Sequence, residues 1–588
     1  MKILFALSSP EYIRFYDSAI AELGRRGHEL VIAVGVVRDG KPVRIEAIGG
    51  LHTNVTVAGL VPPRGDRWTT AARALRGTID FVRYWHPELS SALLLRARVR
   101  HQALPWTLAM LDRIRSLRPS TVRAIMNGLV AVERALPPAA SVLRFLATHQ
   151  PDLVLVSPLV EPASDQMDLV RAAHARGTRV ATLVASWDNL TNKGDLRVQT
   201  DLITVWNEMQ RREAVELHRA RPDQVVVTGA PVFDRWFDRM PSLTRDEFCR
   251  QVGLPADRPI VLFTGSSIFI ARAETEMAFV RRWVNALRAS ADPMVRGISV
   301  LVRPHPYNGT AWNAAALADL AGVAVWPKGG YDPVDERSRA GFFDSMYHAH
   351  AVVGINTSAM IEAAIVGRPV LSIEAEEFAG TQDGTRHYRY LLPENGGFLM
   401  VASTLEEHAD QVAAILRNPH DAHARLRAFV TRFVRPCGID RPAMPLLVDA
   451  IEQFGASSAP QPVRASVGDY LVRVALGPTA LLTPWLCSQA DRRYRMRKAL
   501  QRGWQLTKRG GRHANNELSL TYKRFIRWPA RRIARLVVRA WRAGGAAGIG
   551  AAAAQAVVRP VRRVRRILRL ARYHVGMFAR RLRGASTE

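Results

Sequence analysis

The sequence predicts an α/β protein of two successive doubly wound halves followed by a basic helical tail, and three observations predict it. Short β-branched apolar runs of strand length recur between stretches of helical periodicity, the pattern of buried parallel strands joined by crossover helices. These runs form two series that meet near residues 236 to 250. Charge is divided as well: residues 456 to 588 hold 29 Lys and Arg against 4 Asp and Glu, whereas the first 455 residues hold 53 and 48. A nearly balanced globular body thus carries a strongly basic extension. A length of 588 residues with 48% hydrophobic residues is more than one core accommodates, so two packed domains are expected.

The first series gives strands at residues 2–7, 30–36, 152–157, 179–185, 202–206 and 225–228, and defines an N-terminal domain over 1–240. The interval 61–138 interrupts it. This stretch is helical in pattern, contains Trp68, Phe81, Tyr84, Trp85 and Trp106, and is too long for an ordinary connection. It reads as a helical insertion that covers a sheet edge or forms a dimer contact, or as an acceptor- or membrane-facing flap. The second series starts at PIVLFTGSS (residue 259) and continues through ISVLVRP, VAVWP, AVVGI and PVLSI, giving a C-terminal domain over 241–455. Facing halves of this kind place a ligand in the cleft between them.

The linker GASSAPQP closes the body and the tail follows, 456–588. Residues 474–490 are apolar but short and contain Pro478 and Pro484, which disfavours a spanning helix. The Ala/Gly run 543–558, with Gly544 and Gly548, is weak for the same reason. From Pro560 a last helix is expected. Val561, Val564, Leu568, Ala571, Val575 and Phe578 recur on one face, with Arg562, Arg563, Arg566, Arg569 and Arg580 among them. An apolar stripe flanked by arginines suits an anionic membrane surface. Cys249, Cys437 and Cys487 lie far apart, with neither disulfide-framework nor zinc spacing. The opening MKILFALSSPEYIRFYD reads as strand then helix rather than a signal peptide, so a cytoplasmic location, peripheral to the inner face of the cell membrane, is expected.

Two segments of the second series carry chemistry. In ISVLVRPHP a strand ends at Arg303, Pro304 and His305; in AVVGINTSAMIEAAIVGRPVLSI a strand gives way to a turn, residues 354–358, and then to a helix from Ala359. Open α/β sheets bind ligands at that edge. Backbone N–H groups and the Thr357 and Ser358 hydroxyls would face one point there, where phosphate is the natural guest.

On these motifs, RPHP after a strand and a small, polar turn before xEAAxxGRPVL, the body resembles the GT-B glycosyltransferases and their relatives. The relatives are the CDP-glycerol glycerophosphotransferases and the UDP-N-acetylglucosamine 2-epimerases, of surface-carbohydrate biosynthesis type. The resemblance covers about residues 1 to 455. It implies a GT-B-like fold of two Rossmann-like domains, the N-terminal one for the acceptor and the C-terminal one for a nucleotide-diphosphate sugar donor. By the same resemblance His305, with Arg303, and the turn at Asn356, Thr357 and Ser358 hold the donor diphosphate, and Glu362 holds the ribose hydroxyls. Gly265, Ser266 and Ser267 would add backbone donors. The plainer alternative makes His305 a turn histidine and Glu362 a solvated helix residue.

The retaining pattern of the family puts a second glutamate eight residues on, where this chain has Val370. Inversion is therefore expected, needing a base for the acceptor hydroxyl and stabilisation of the leaving diphosphate. No DxD-like metal motif appears in a suitable loop, and neither metal nor cofactor is expected. The base should come from the N-terminal half: Asp188 in SWDNLTNKG or Glu161, with Asp165, Glu11 and Asp17 as further candidates. Asp188 and Asn189 are also good turn-shaping residues.

A glycosyltransferase acting on a lipid-linked or glycan acceptor of the cell envelope is the reading these features favour. A CDP-polyol phosphate transferase shares every motif. A UDP-sugar 2-epimerase would use Glu161 and Asp188 as paired carboxylates but has no use for a basic tail. Nucleic-acid binding, raised by the tail's charge and by Trp504, Trp528 and Trp541, is disfavoured because arginines beside an apolar stripe suit a bilayer interface better.

Overall fold

The computed structural model describes residues 1–35, 52–306, 308–312, 317–329, 333, 335–382, 384–484 and 487. The side chains of Trp106, Thr107, Ala109 and Thr310 also lie outside that description. Among the described residues the first half holds seven strands: β1 (Lys2–Leu7), β2 (Glu29–Val34), β3 (Val55–Leu60), β4 (Leu153–Ser157), β5 (Arg179–Leu183), β6 (Leu202–Val205) and β7 (Val225–Val227). They form one parallel sheet in the order β3-β2-β1-β4-β5-β6-β7. Alternation builds two cores from one strand: Leu4 and Ala6 of β1 face one layer, Ile3, Phe5 and Leu7 the other. Both faces are covered, as the unbroken apolar runs require.

The second half repeats the plan with β8 (Ile260–Thr264), β9 (Ser299–Arg303), β10 (Val323–Val325), β11 (Ala351–Gly354), β12 (Val370–Ile373) and β13 (Met400–Ala402), ordered β10-β9-β8-β11-β12-β13 and all parallel. The architecture is α/β, two Rossmann-like sheets that face a common cleft. β3 and β13 went unforeseen, the first because its burial is mixed along its length, the second because three residues carry no periodicity.

The insertion is helical, with helices Thr69–Val82, Leu93–Gln102 and Pro119–Ala135 the longest. Phe81, Tyr84 and Trp85 are buried in a core of its own, while Trp68 packs with Ala72 and Leu136. Buried ion pairs brace it and fasten it to the rest of the N-terminal half. Arg76 binds Glu133 at 2.7 Å and Asp168 at 2.8 Å, Arg64 binds Asp168 at 2.9 Å, and Arg197 pairs with Asp80.

The last helix of the body does not stay with the half that precedes it. Helix Ala443–Ala456 leaves the second half and packs on the first: Leu447, Val448 and Ile451 share a core with Ile3 and Phe5. Arg26 binds Asp449 at 2.7 Å and Glu452 at 2.6 Å. The chain thus crosses between halves twice, and Asp234 ties the crossings together. Its carboxylate accepts from the amides of Ala443 (2.9 Å) and Met444 (2.7 Å) and from Arg435 (3.0 Å).

The expected linker is not a free spacer, since the Val463 amide donates to the His174 carbonyl at 2.9 Å. A helix over 467–484 follows. Leu476 and Ala480 pack on Trp68, Ala71, Ala72 and Leu136 of the insertion, and Arg473 donates to the Ala135 carbonyl at 2.6 Å. Val467, Leu471, Val474 and Leu481 on this helix are exposed. Among the described residues no helix is long and apolar enough to cross a membrane. The 543–558 run, the helix from Pro560, and Trp504, Trp528 and Trp541 lie outside the described residues.

Candidate active site

Each sheet reverses its strand order once, between β1 and β4 and between β8 and β11. Crevices open at such switch points. The loops leaving both line one cleft of about 890 Å³.

On the C-terminal wall, helix Ala359–Ile365 starts as expected after a turn that puts Asn356, Thr357 and Ser358 on the cleft. Arg303 and His305 leave β9 toward the same space, with Gly265 and Ser267 from the β8 loop. Gly265 is needed there: a Cβ would lie 2.8 Å from the His305 amide nitrogen. Two of the three backbone donors expected in this loop are spent. The Gly265 amide donates to the Arg303 carbonyl at 2.8 Å and the Ser266 amide to the Glu276 carboxyl at 2.7 Å. Burial raises Glu276 to about 8. Asn308 holds the loop from the other side, donating to the carbonyls of Ser266 (2.8 Å) and Ala271 (3.0 Å).

The expected ligands differ in readiness. Arg303 is held between Trp326 and Phe342, 5.1 and 4.7 Å from the ring centres, and donates to Ser345 Oγ at 3.1 Å. Burial lowers it to about 9, with Glu362 opposing. His305 is lowered to about 4 by burial and then by Arg14, so its imidazole is neutral near pH 7. Glu362 reaches the cleft; burial raises it to about 7 against the pull of Arg14, Arg303 and Arg235. Asn356 is committed to structure, its amide donating to the Thr381 carbonyl at 2.6 Å. Val370, where a retaining enzyme would have its second glutamate, is buried in β12.

The N-terminal wall gathers a cluster around Lys193. Glu161 Oε1 accepts from Lys193 at 2.7 Å and from Tyr12 at 2.9 Å. Burial works against the charge on Glu161, but Lys193 and these hydrogen bonds outweigh it and hold the carboxyl below its usual range. Asp188 behaves alike: burial opposes its charge, and Lys193, then His387, then a bond to Ser186 prevail. Asp188 makes no side-chain cap to the short helix after it. The turn is shaped instead by Asn189, whose Oδ1 accepts from the amides of Ala185 and Ser186, both at 3.1 Å.

The other candidates separate. Glu11 lines the cleft. Asp17 is gripped from both halves, by Arg235 at 2.5 Å and Arg339 at 3.0 Å, and latches the cleft. Asp165 has a side chain 69% exposed, 3.9 Å from Arg76, and is not among the cleft-lining residues.

Several cleft residues escaped the sequence reading. Tyr12 and Arg14 stand two and four residues after Pro10, and Lys193 closes SWDNLTNK; their place after buried strands was the available signal. His387 had none. It comes from helix Arg386–Arg389 of the opposite half, meets Trp187 edge-on at 4.6 Å between ring centres, and is lowered to about 4 by burial, with Asp188 opposing. Arg98 of the insertion likewise reaches the cleft.

Two parallel doubly wound sheets that share a cleft between switch points give the chain a GT-B-like fold. No family model matches the chain, and no curated protein does. Among solved structures it is similar to the UDP-GlcNAc 2-epimerase from Neisseria meningitidis bound to UDP-GlcNAc, at 11% identity over 77% of this chain and 100% of that one, TM-score 0.45. It is also similar to a glycosyltransferase from Rickettsia africae ESF-5 (10% identity, 78% and 99% covered, TM-score 0.45). A third is CalG4, the calicheamicin glycosyltransferase (12% identity, 78% and 99% covered, TM-score 0.41).

Proposed function

We propose that the protein is a metal-independent, inverting glycosyltransferase that uses a nucleotide-diphosphate sugar and acts on a cell-envelope acceptor. The observation that carries this reading is the division of the cleft. A wall of phosphate-compatible donors, Thr357, Ser358, His305 and the cation Arg303, faces a wall bearing the ionised carboxylates Asp188 and Glu161. Asp188 is the base, because Glu161 is already engaged by both Lys193 and Tyr12. The acceptor hydroxyl gives its proton to Asp188 as its oxygen bonds to the anomeric carbon. The bond from that carbon to the diphosphate breaks, and the nucleoside diphosphate leaves with the electron pair into the field of Arg303 and the neighbouring donors.

The paired carboxylates on one wall also favour a second reading, 2-epimerisation, in which they would remove and return a proton on the sugar. Calorimetry of the full chain with UDP, GDP and CDP tests the common core, with His305→Ala expected to lose about 1 to 3 kcal/mol of affinity. If the folded chain bound none of the three, the assignment would fail. Incubating the matching nucleotide sugar in deuterated water separates the two chemistries. Deuterium at the sugar C2 means epimerisation, whereas transfer leaves the ring protons intact.

A further inference from the structure

Apolar side chains exposed at the mouth of a polar cleft mark a binding surface rather than a core. Leu94, on insertion helix Leu93–Gln102, is 53% exposed; Ile268 and Phe269, in the loop after β8, are 54% and 55% exposed. All three line the cleft. Leu94 sits close to Gly380, where an added Cβ would lie 3.0 Å from its Cδ1, so it stands against the C-terminal half although the insertion carries it. One turn further along the same helix, Arg98 lays its guanidinium over the Phe269 ring at 4.3 Å from the centre. Its Nε is buried without a hydrogen-bond partner. Arg98 also helps to hold Glu161 and Asp188 ionised, which places its charge beside the carboxylate wall. An apolar rim therefore leads, through one cation, to the reacting groups.

We infer that the acceptor is an amphiphile whose hydrocarbon chain lies across Leu94, Ile268 and Phe269 and whose anionic head is drawn to Arg98. A free sugar or a water-soluble glycan could stack on Phe269 but has no chain to cover Leu94, Ile268 and Phe269 together. A phosphate- or carboxylate-headed lipid satisfies both the rim and the cation. The inference deepens the transferase reading and rests on the cleft being the reaction site.

Binding of n-dodecyl phosphate, kept below micelle-forming concentration, and of ethyl phosphate to the full chain tests it by calorimetry, with UDP binding measured alongside. The long-chain probe should bind about tenfold or more tightly than the short one, as a partly buried chain requires. Leu94→Asp and Phe269→Asp should each remove most of that difference, and Arg98→Gln should weaken both probes alike. Leu94→Asp, which lies outside the donor loops, should leave UDP affinity unchanged. Equal affinity for the two probes would overturn the inference. So would a chain-length dependence that survives both aspartate variants, because the probe would then be adsorbing elsewhere, as on the exposed face of helix 467–484. UDP binding without chain-length dependence sinks this inference alone, whereas chain-length dependence without nucleotide binding sinks the transferase reading instead.

Discussion

On the proposed reading, the protonation of Glu362 sets the working range of the donor wall. To accept hydrogen bonds from two ribose hydroxyls with both oxygens it must be ionised, and burial raises it to about 7. Nucleotide affinity should therefore rise as pH increases from 6 to 8 and fall as pH drops through 7, by about tenfold in all if one charge-assisted bond is at stake. Calorimetry with UDP across that range should show a steeper profile for the wild type than for Glu362→Gln, the difference isolating this carboxyl from the titration of the nucleotide. The proposed base behaves in the opposite sense. Asp188 lies below the usual carboxylate range, so it stays ionised throughout this interval and adds no acid limb to the rate. Asp188→Asn should lower kcat by about 10²- to 10⁴-fold while donor affinity holds, since proton transfer counts in the transition state. An unchanged rate for Asp188→Asn together with loss in Glu161→Gln would exchange their roles.

At the scale of elements, the insertion is held by charges that only work as pairs. Asp80 accepts from the amides of Ala163 (2.7 Å) and Asp195 (2.8 Å) besides pairing with Arg197, and all of these groups are buried. Asp80→Ala strands a buried guanidinium and two amides, so a stability loss of about 3 to 5 kcal/mol is expected by urea unfolding. Replacement of exposed Glu88, whose partner Arg386 is also partly exposed, should cost under about 1 kcal/mol. Elements of this kind mark the limit of what the sequence reveals. The strands β1, β4, β8, β9 and β11 are legible because two-sided burial demands unbroken apolar runs, and the turn before Ala359 because small and polar residues interrupt one. Asp188 and Glu161 were legible as residues that follow such strands. The grip of Arg235 and Arg339 on Asp17, the approach of His387 to the carboxylate wall and the Arg98–Phe269 contact were not. Each joins residues more than 150 positions apart, and no local periodicity encodes which loops a second sheet brings near.

For the whole molecule, the proposal is that the basic extension brings the protein to an anionic surface. Residues 456–588 carry 29 Lys and Arg against 4 acidic residues, and anionic lipid attracts each near-surface cation by roughly 1 kcal/mol. The full chain should sediment with vesicles of equimolar phosphatidylglycerol and phosphatidylcholine, and less so as salt is raised. Val564→Asp with Leu568→Asp should abolish sedimentation while leaving every arginine in place; retention by this double variant, or tight DNA binding that survives it, would count against a membrane role. Truncation after Cys487, which spares the helix packed on Trp68 and Leu136, should leave a folded body that still binds nucleotide. The double crossing between the halves, clasped at Asp234, has a mechanical consequence. Because helix Ala443–Ala456 and the segment after it belong to the N-terminal half, a surface that holds the extension anchors the half bearing Asp188. On the proposed reading, the C-terminal half, joined to that anchored half by the two crossings, would be the part that moves as donor loads and product leaves.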